Sequence, residues 1–178
     1  MKRILVVVDM QKDFVDGSLG TAEAQSILDR VREKIQSYPK ENVYATLDTH
    51  QKDYLNTQEG RFLPVEHCIE GTEGWMLHER IRDLLTGAVI VTKPGFGSLT
   101  LAEMLKKENE KDPISLELIG LCTDICVITN ALVLKTFMPE VPISVDASCC
   151  AGVTPFKHEA ALETMRSCQI EVVNGNTH

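Results

Sequence analysis

The chain has 178 residues, of which 43% are hydrophobic and 25% charged, and its formal net charge is -8. A chain of this length and composition is expected to form a single domain, residues 1–178, with a sizeable core. The acidic balance without a basic run argues against a nucleic-acid or anionic-membrane partner, and no apolar run approaches the roughly 20 residues that cross a bilayer.

The N-terminal segment predicts a strand rather than a targeting signal. Residues 4–8 are apolar, and Asp9 ends the run after five residues. A secretory signal needs an apolar stretch of about 7–15 residues, so this one is too short. The chain is therefore expected to be cytoplasmic, with its six cysteines as reduced thiols.

Apolar patterning predicts strands and helices that alternate along the chain. The predicted strands are residues 3–8, 43–47, 88–91, 114–119, 143–145 and 170–173, and the predicted helices are residues 22–38, 74–85, 99–109, 124–137 and 155–167. Residues 51–73 lack periodicity, and a loop of that length in a compact domain is more often functional than idle. The alternation predicts an α/β domain with a largely parallel sheet.

Several reactive side chains follow predicted strands. In parallel sheets, ligands bind outside the carboxyl ends of the strands. Asp9, Asp48, His50, Lys93 and the turn that contains Cys126 all follow such ends, so they are expected to converge on one edge of the sheet.

Cys126 is the candidate nucleophile. A helix that begins near Thr123 or Asp124 would place Cys126 in its first turn, where free N–H groups and the helix dipole stabilise a thiolate and lower the pKa. A thiol in that position can attack a carbonyl carbon. The alternative interpretation is a small buried cysteine at a strand–helix junction.

Asp9 and Lys93 could activate that thiol. Lys93 beside Cys126 would favour the thiolate, and Asp9 could accept the thiol proton and later pass it to a leaving amine. Alternatively, Lys93 is a solvated surface lysine and Asp9 a loop cap.

A second group of side chains suits a divalent metal. Asp48 and His50 form a short ligand pair, His67 could be a third ligand, and Glu59 could add an oxygen directly or through water. Three nitrogen or oxygen ligands with open positions are typical of a catalytic metal. His78 and His158 fall on helix patterns and are expected to be surface or packing residues, as most isolated histidines are.

These motifs together resemble the isochorismatase-like cysteine hydrolases over nearly the whole chain. The resemblance is carried by residues 8–14 (VDMQKDF), by Lys93 after a strand and by residues 120–127 (GLCTDICV). Asp48, His50 and the His67-Cys68 pair look like the metal-binding, nicotinamidase branch of the superfamily. The resemblance implies a three-layer α/β/α fold with a parallel six-stranded sheet.

The resemblance also implies roles for the candidate residues. Cys126 would attack an amide carbonyl, Asp9 would be general base and then acid, and Lys93 would orient Asp9 and lower the pKa of Cys126. A cis peptide at Leu121–Cys122 would aim the backbone N–H groups of Cys122 and Cys126 at the developing oxyanion.

The same resemblance implies a metal and a substrate pocket. Asp48, His50 and His67, with Glu59 as a further candidate, would hold Zn²⁺, Fe²⁺ or Mn²⁺, which binds the pyridine nitrogen of the substrate. Phe14 would be an aromatic wall, and Phe62 is a second candidate for substrate contact. Two departures from the nicotinamidase pattern are Thr49, where an aromatic residue is usual, and Pro64-Val65, where a tryptophan is common.

The sequence therefore predicts a metal-containing amidase that releases ammonia from nicotinamide. One alternative is hydrolysis of another small amide or carbamate by the same three residues. A non-catalytic oligomeric binding protein would be expected to have lost Asp9, Lys93 or Cys126, and all three are present. Isochorismate is disfavoured as the substrate because the vinyl-ether hydrolases do not need the cysteine. A dinucleotide-binding module is excluded because no GxGxxG motif follows the first strand. The mostly apolar helix at residues 124–137 makes a homo-oligomer plausible.

Overall fold

Six parallel strands form one sheet in the order β3-β2-β1-β4-β5-β6 in a computed structural model, which describes residues 1–175. The strands are β1 (Lys2–Val8), β2 (Val43–Asp48), β3 (Val89–Lys93), β4 (Ile114–Leu121), β5 (Ile143–Ala151) and β6 (Glu171–Val173). The predicted six-stranded parallel α/β fold is confirmed.

Helices cover both faces of the sheet. They are α1 (Lys12–Val15), α2 (Ala22–Ser26), α3 (Leu28–Gln36), α4 (Gln58–Phe62), α5 (Glu79–Arg82), α6 (Leu99–Lys111), α7 (Ile128–Phe137) and α8 (Pro155–Ser167). Among residues 1–175, none of these helices combines the length and the apolar composition that crossing a bilayer would require.

Strand β1 lies at the centre of two hydrophobic layers. Its alternate side chains Ile4, Val6 and Val8 pack with α6, α7 and α8, whereas Leu5 and Val7 pack with α2 and α3. Residues 4–8 are completely buried. An uninterrupted apolar strand is stable here because alternate residues of a strand point to opposite faces, and both faces are covered.

Three predicted elements differ from the observed ones. The helix predicted at residues 22–38 breaks at Ile27 into α2 and α3. Most of the helix predicted at residues 74–85 is wrong: Leu77 instead pairs with Gln11 in an antiparallel bridge, and only α5 and a short 3₁₀ turn are helical. Trp75 and Leu77 pack on the core from this irregular segment, which explains their helix-like spacing. Strand β5 runs six residues beyond the predicted Val145, to Ala151.

Gly120 allows β4 to approach β1 at the carboxyl edge of the sheet. Its φ is +118°, and a Cβ at this position would lie 2.1 Å from the carbonyl oxygen of Val8. Any other residue would clash with the backbone of β1, so glycine is required where β4 leads towards Cys126.

A buried charge cluster connects α3 to β4 and β5. Lys34 Nζ lies 2.8 Å from Glu117 Oε1 and 2.7 Å from Asp146 Oδ2, and Tyr38 donates its hydroxyl hydrogen to Glu117. Burial lowers the pKa of Lys34, but the two carboxylates raise it more, so the pKa is raised overall. Burial likewise raises the pKa of Asp146, but hydrogen bonds from Lys34, Ser148 and Asn174 outweigh it, and the pKa is lowered.

Lys34→Met should destabilise the protein by about 3 kcal/mol at pH 7, because it leaves the buried carboxylate of Asp146 without its cation. Glu117 would keep only the largely exposed Arg3 as a cationic partner. A carboxyl group whose folded-state pKa is lowered stabilises the protein above that pKa and loses this effect as the pH falls through it. The difference between variant and wild type should therefore shrink below about pH 4. Chemical denaturation at several pH values measures it.

Lys107→Met on the exposed surface of α6 is the matched control, and it should change stability by less than about 0.5 kcal/mol. Equal effects of the two substitutions on the free energy of unfolding would show that the Lys34 cluster does not stabilise the protein.

Candidate active site

The carboxyl edge of the sheet brings the predicted reactive side chains together. Asp9 follows β1, Asp48 ends β2 and Lys93 ends β3, and all three are almost completely buried. Cys126 follows β4 in a π-helical turn, Thr123–Val127, that leads directly into α7. The convergence expected for parallel strands is therefore observed.

Lys93 connects all the other groups at this edge. Its Nζ lies 2.7 Å from Asp9 Oδ2, 3.3 Å from Asp48 Oδ1 and 3.5 Å from Cys126 Sγ. Nζ also donates to the carbonyl oxygen of Gly95 at 3.0 Å. The side chain is inaccessible to solvent, so the alternative of a solvated surface lysine is wrong. A buried ammonium is stable here because two carboxylates compensate its charge.

Asp9 is held by one hydroxyl and one ammonium. Thr46 donates its hydroxyl hydrogen to Asp9 Oδ1 at 2.7 Å. The other oxygen, Oδ2, forms an ion pair with Lys93 Nζ at 2.7 Å. Burial raises the pKa of Asp9 and outweighs the opposing effect of Lys93. A carboxylate whose pKa is raised by burial is suited to take up a proton.

The backbone around Cys126 is closely constrained. The predicted cis peptide at Leu121–Cys122 is confirmed. The carbonyl oxygen of Cys122 accepts from the N–H groups of Ile125 at 3.1 Å and Val127 at 3.0 Å. At the other end of the turn, Asn130 donates to the carbonyl oxygen of Cys126 at 2.8 Å.

The expectation of a lowered pKa for Cys126 is wrong. Burial raises the pKa of the thiol, and the negative charge of Asp9 raises it further, whereas Lys93 lowers it by less. Only 3% of the residue is exposed, so desolvation of a thiolate outweighs the helix dipole and the neighbouring ammonium. The raised pKa favours a neutral thiol at rest, so a nucleophilic role for Cys126 would need a base.

Asp48, His50, Glu59 and His67 form one cluster of possible metal ligands. One ligand atom from each lies within 4.8 Å of all the others. His50 Nε2 is 3.1 Å from Asp48 Oδ2 and 3.7 Å from Glu59 Oε1. His67 Nδ1 lies 2.9 Å from the carbonyl oxygen of Val65, a contact that leaves Nε2 facing the cluster. Two imidazoles and two carboxylates whose atoms converge in this way fit a divalent ion.

Two residues that support the site were not predicted from the sequence. Thr46 binds Asp9, and the completely buried Tyr54 packs its ring against His50 and His67, with centroid distances of 4.7 and 4.9 Å. Thr46 could have been noticed as the one threonine in the mostly apolar strand β2. Tyr54 gives a weaker signal, a single aromatic residue among the polar residues 51–57.

A cavity of about 360 Å³ opens beside Cys126 and the metal-ligand cluster. Such a volume is within the range of about 300–1,000 Å³ typical of small-molecule sites. The predicted Phe14 and Phe62 both line it, although Phe62 is 85% exposed and lies at the mouth. The side chains that sequence reasoning missed there are Leu19, Thr21, Leu63, Phe96, Leu121, Ile125, Val153 and Lys157.

Thr49 and Pro64 have no place in the cavity wall. Thr49 Oγ1 accepts a hydrogen bond from Trp75 Nε1 at 2.9 Å, which ties the residue between the two ligands Asp48 and His50 to the irregular segment before α5. The aromatic surface of the cavity comes from Phe14, Phe62 and Phe96 instead.

A parallel sheet with a thiol, a carboxylate, an ammonium and metal-type ligands around one small cavity defines a small-molecule hydrolase. The family model of the isochorismatase domain matches residues 3–177, and the chain therefore belongs to the isochorismatase family.

Relatives and solved structures agree with this assignment. The nicotinamidase/pyrazinamidase of Mycobacterium tuberculosis is 27% identical, over 96% of this chain and 98% of its own length. The crystal structure of the Bacillus subtilis nicotinamidase/pyrazinamidase has a TM-score of 0.85 and 28% identity, over 97% of this chain and 99% of that one. The pyrazinamidase of Pyrococcus horikoshii in complex with zinc has a TM-score of 0.82 and 27% identity, over 98% and 100% of the two chains. These likenesses and the family membership make the chain an amidohydrolase.

His50→Ala should abolish metal binding, because it removes an imidazole that lies close to both carboxylates of the cluster. We expect elemental analysis of the untagged wild type, purified without chelator, to find a stoichiometric amount of a divalent metal. The same analysis of the variant should find almost none.

Glu66→Gln, next to His67 but exposed and outside the cluster, is the control and should leave the metal content unchanged. Equal metal content in wild type and His50→Ala would place the ion elsewhere.

Proposed function

We propose that this chain is a metal-containing cysteine amidohydrolase that converts nicotinamide and water to nicotinate and ammonia. The observation that supports this most strongly is the position of Lys93, which contacts buried Asp9 as well as Asp48 and Cys126, two residues that line the cavity. The nicotinamidase relatives supply the substrate class, and the proposal assigns the residues.

Acylation begins with transfer of the thiol proton. Asp9 accepts the proton from Cys126 as Sγ attacks the amide carbon. The raised pKa of Asp9 favours this transfer, and coupling it to the attack avoids a free thiolate on Cys126, whose pKa is also raised. The tetrahedral intermediate then collapses, the carbon–nitrogen bond breaks, and Asp9 returns the proton to the departing ammonia. The product of this half-reaction is a thioester on Cys126.

Hydrolysis repeats the sequence with water. Asp9 removes a proton from the water molecule as its oxygen attacks the thioester, and the proton passes to Sγ as the carbon–sulfur bond breaks. Lys93 stays charged throughout, because burial lowers its pKa but Asp9 and Asp48 raise it more. Its ammonium holds Asp9 in place and stabilises the thiolate.

The oxyanion is assigned to the backbone N–H groups of Cys122 and Cys126. Both belong to the turn that the carbonyl of Cys122 closes, so they are held before substrate arrives. Donors fixed in advance stabilise a developing negative charge without the cost of reorganisation.

Asp48, His50 and His67, with Glu59, would hold the metal, which we propose to be Zn²⁺, with Fe²⁺ or Mn²⁺ as the other candidates. When bound, such an ion supplies a Lewis acid that can bind a ring nitrogen of the substrate. Burial raises the pKa of Asp48, but His50 and Lys93 lower it more, so Asp48 remains an anionic ligand. Phe14, whose ring centroid is 5.5 Å from that of His67, would bound the substrate ring.

A second candidate is hydrolysis of another small amide or carbamate by the same residues. Thr49 and Pro64 favour it, because they replace the aromatic residues usual in nicotinamidases and neither lines the cavity. The substrate side of the cavity would then tolerate a group other than a pyridine ring.

Assembly and location complete the proposal. We expect a single-domain, cytoplasmic enzyme that acts on a small molecule and binds neither nucleic acid nor membrane. It would form a homo-oligomer through partly exposed apolar side chains of α7, including Leu132, Val133 and Phe137.

Cys126→Ala should lower ammonia release from nicotinamide by at least about 10³-fold, because it removes the nucleophile. Ammonia is measured with a coupled assay on metal-loaded protein. Cys168→Ala is the matched control, since Cys168 lies at the end of α8 away from the cavity, and it should leave the rate unchanged.

The outcomes separate the two candidates. Release that Cys126→Ala abolishes supports the nicotinamidase proposal. The second candidate is favoured if the wild type releases no ammonia from nicotinamide but does release it from another small amide or carbamate in a panel. Cys126→Ala should abolish that activity as well. Turnover that survives in Cys126→Ala rejects both.

A further inference from the structure

The turn that contains Cys126 is held by the start of α8 and the residues before it, which have no part in the proposed mechanism. Thr123 is completely buried, and its Oγ1 lies 2.8 Å from Nδ1 of His158. Asp124 Oδ1 accepts from the N–H of Val153 at 2.9 Å. A Cβ at Gly152 would lie 2.9 Å from both Asp124 Oδ1 and the N–H nitrogen of His158, so the two segments are in direct contact.

We propose that His158 is a positioning residue that keeps Cys126 aligned with Asp9 and Lys93 by fixing the hydroxyl of Thr123. This proposal rests on the proposed function only for the identity of the reacting thiol. His158 itself does not line the cavity, so it acts through the turn.

The contact is specific because His158 is the main hydrogen-bond partner of the Thr123 hydroxyl. Within residues 1–175, His158 is the side chain with which Thr123 Oγ1 forms a hydrogen bond. A buried hydroxyl without a partner costs about 1–3 kcal/mol, so the loss of His158 would favour a different arrangement of Thr123. Burial lowers the pKa of His158 and outweighs the effects of Glu159 and Asp124. The imidazole is therefore neutral at pH 7, and Nδ1 can accept the Thr123 proton.

A shift of Thr123 would be transmitted to the reacting groups over a short distance. Thr123 lies between Cys122 and Cys126, the two residues whose N–H groups are assigned to the oxyanion. Lys93 Nζ is 3.5 Å from Cys126 Sγ, so a small movement of the turn would weaken this contact. A displacement of about 1 Å in such a site can cost about 10²-fold in rate.

The test compares two replacements that differ only in where they place an amide. The side-chain amide of Asn can occupy the position of Nδ1, whereas that of Gln falls nearer Nε2. His158→Ala and His158→Gln should lower kcat by about 10²-fold with KM almost unchanged, and His158→Asn should restore most of the rate. Equal kcat in the Asn and Gln variants, or a loss confined to KM, would overturn the proposal.

A double-mutant cycle shows whether the effect passes through Thr123. Thr123→Val removes the hydroxyl and keeps the side-chain volume. If His158 acts on that hydroxyl, His158→Ala should cost little more in the Thr123→Val background, because coupled residues are not additive. Additive losses would mean that His158 acts by another route.

A readout that needs no substrate keeps this proposal separate from the proposed function. The rate at which iodoacetamide alkylates Cys126 at pH 8, followed by peptide mass, depends on contact between Sγ and Lys93. His158→Ala should slow it about fivefold relative to wild type and His158→Asn, with melting temperature checked for each variant. An unchanged or faster rate in a folded His158→Ala protein would contradict the proposal even if nicotinamide is not the substrate.

Discussion

The site depends on one buried ammonium. Lys93 Nζ lies within 3.5 Å of Asp9, Asp48 and Cys126, which follow three different strands. Without that cation two carboxylates would share a dry edge of the sheet, and one of them would have to be neutral. Lys93 thus permits both anions at once, and it couples the acid–base side of the cavity to the metal-ligand side through its two carboxylate partners.

Burial determines how Cys126 would react in the proposed mechanism. A solvent-exposed cysteine at a helix start would gain reactivity from a lowered pKa, but Cys126 is desolvated and beside Asp9, so its pKa is raised. The proposed chemistry therefore relies on proton transfer to a nearby carboxylate rather than on a stored thiolate. Asp9 suits this step because Thr46 and Lys93 hold its two oxygens in place while burial raises its pKa.

Each reactive group is held by a neighbour that is not itself reactive. Thr46 orients Asp9, Tyr54 packs against both histidines of the metal-ligand cluster, and His158 contacts the turn that contains Cys126. Such support matters because catalytic geometry tolerates errors of only a fraction of an ångström. The three supporting residues come from β2, from the loop after it and from α8, so the whole domain contributes to the precision of one cavity.

The sequence by itself determined the parallel α/β fold and the edge where the reactive residues meet, because apolar strands and strand-end positions are local patterns. Asp9, Lys93, Cys126 and the metal-type ligands could be named for that reason. Only the tertiary structure decided that Lys93 is buried, that the pKa of Cys126 is raised and that His158 contacts Thr123, since burial and long-range contacts have no local signature. The same reason explains why residues 74–78 do not form the predicted helix. Their helix-like spacing comes from packing on the core and from the bridge between Leu77 and Gln11.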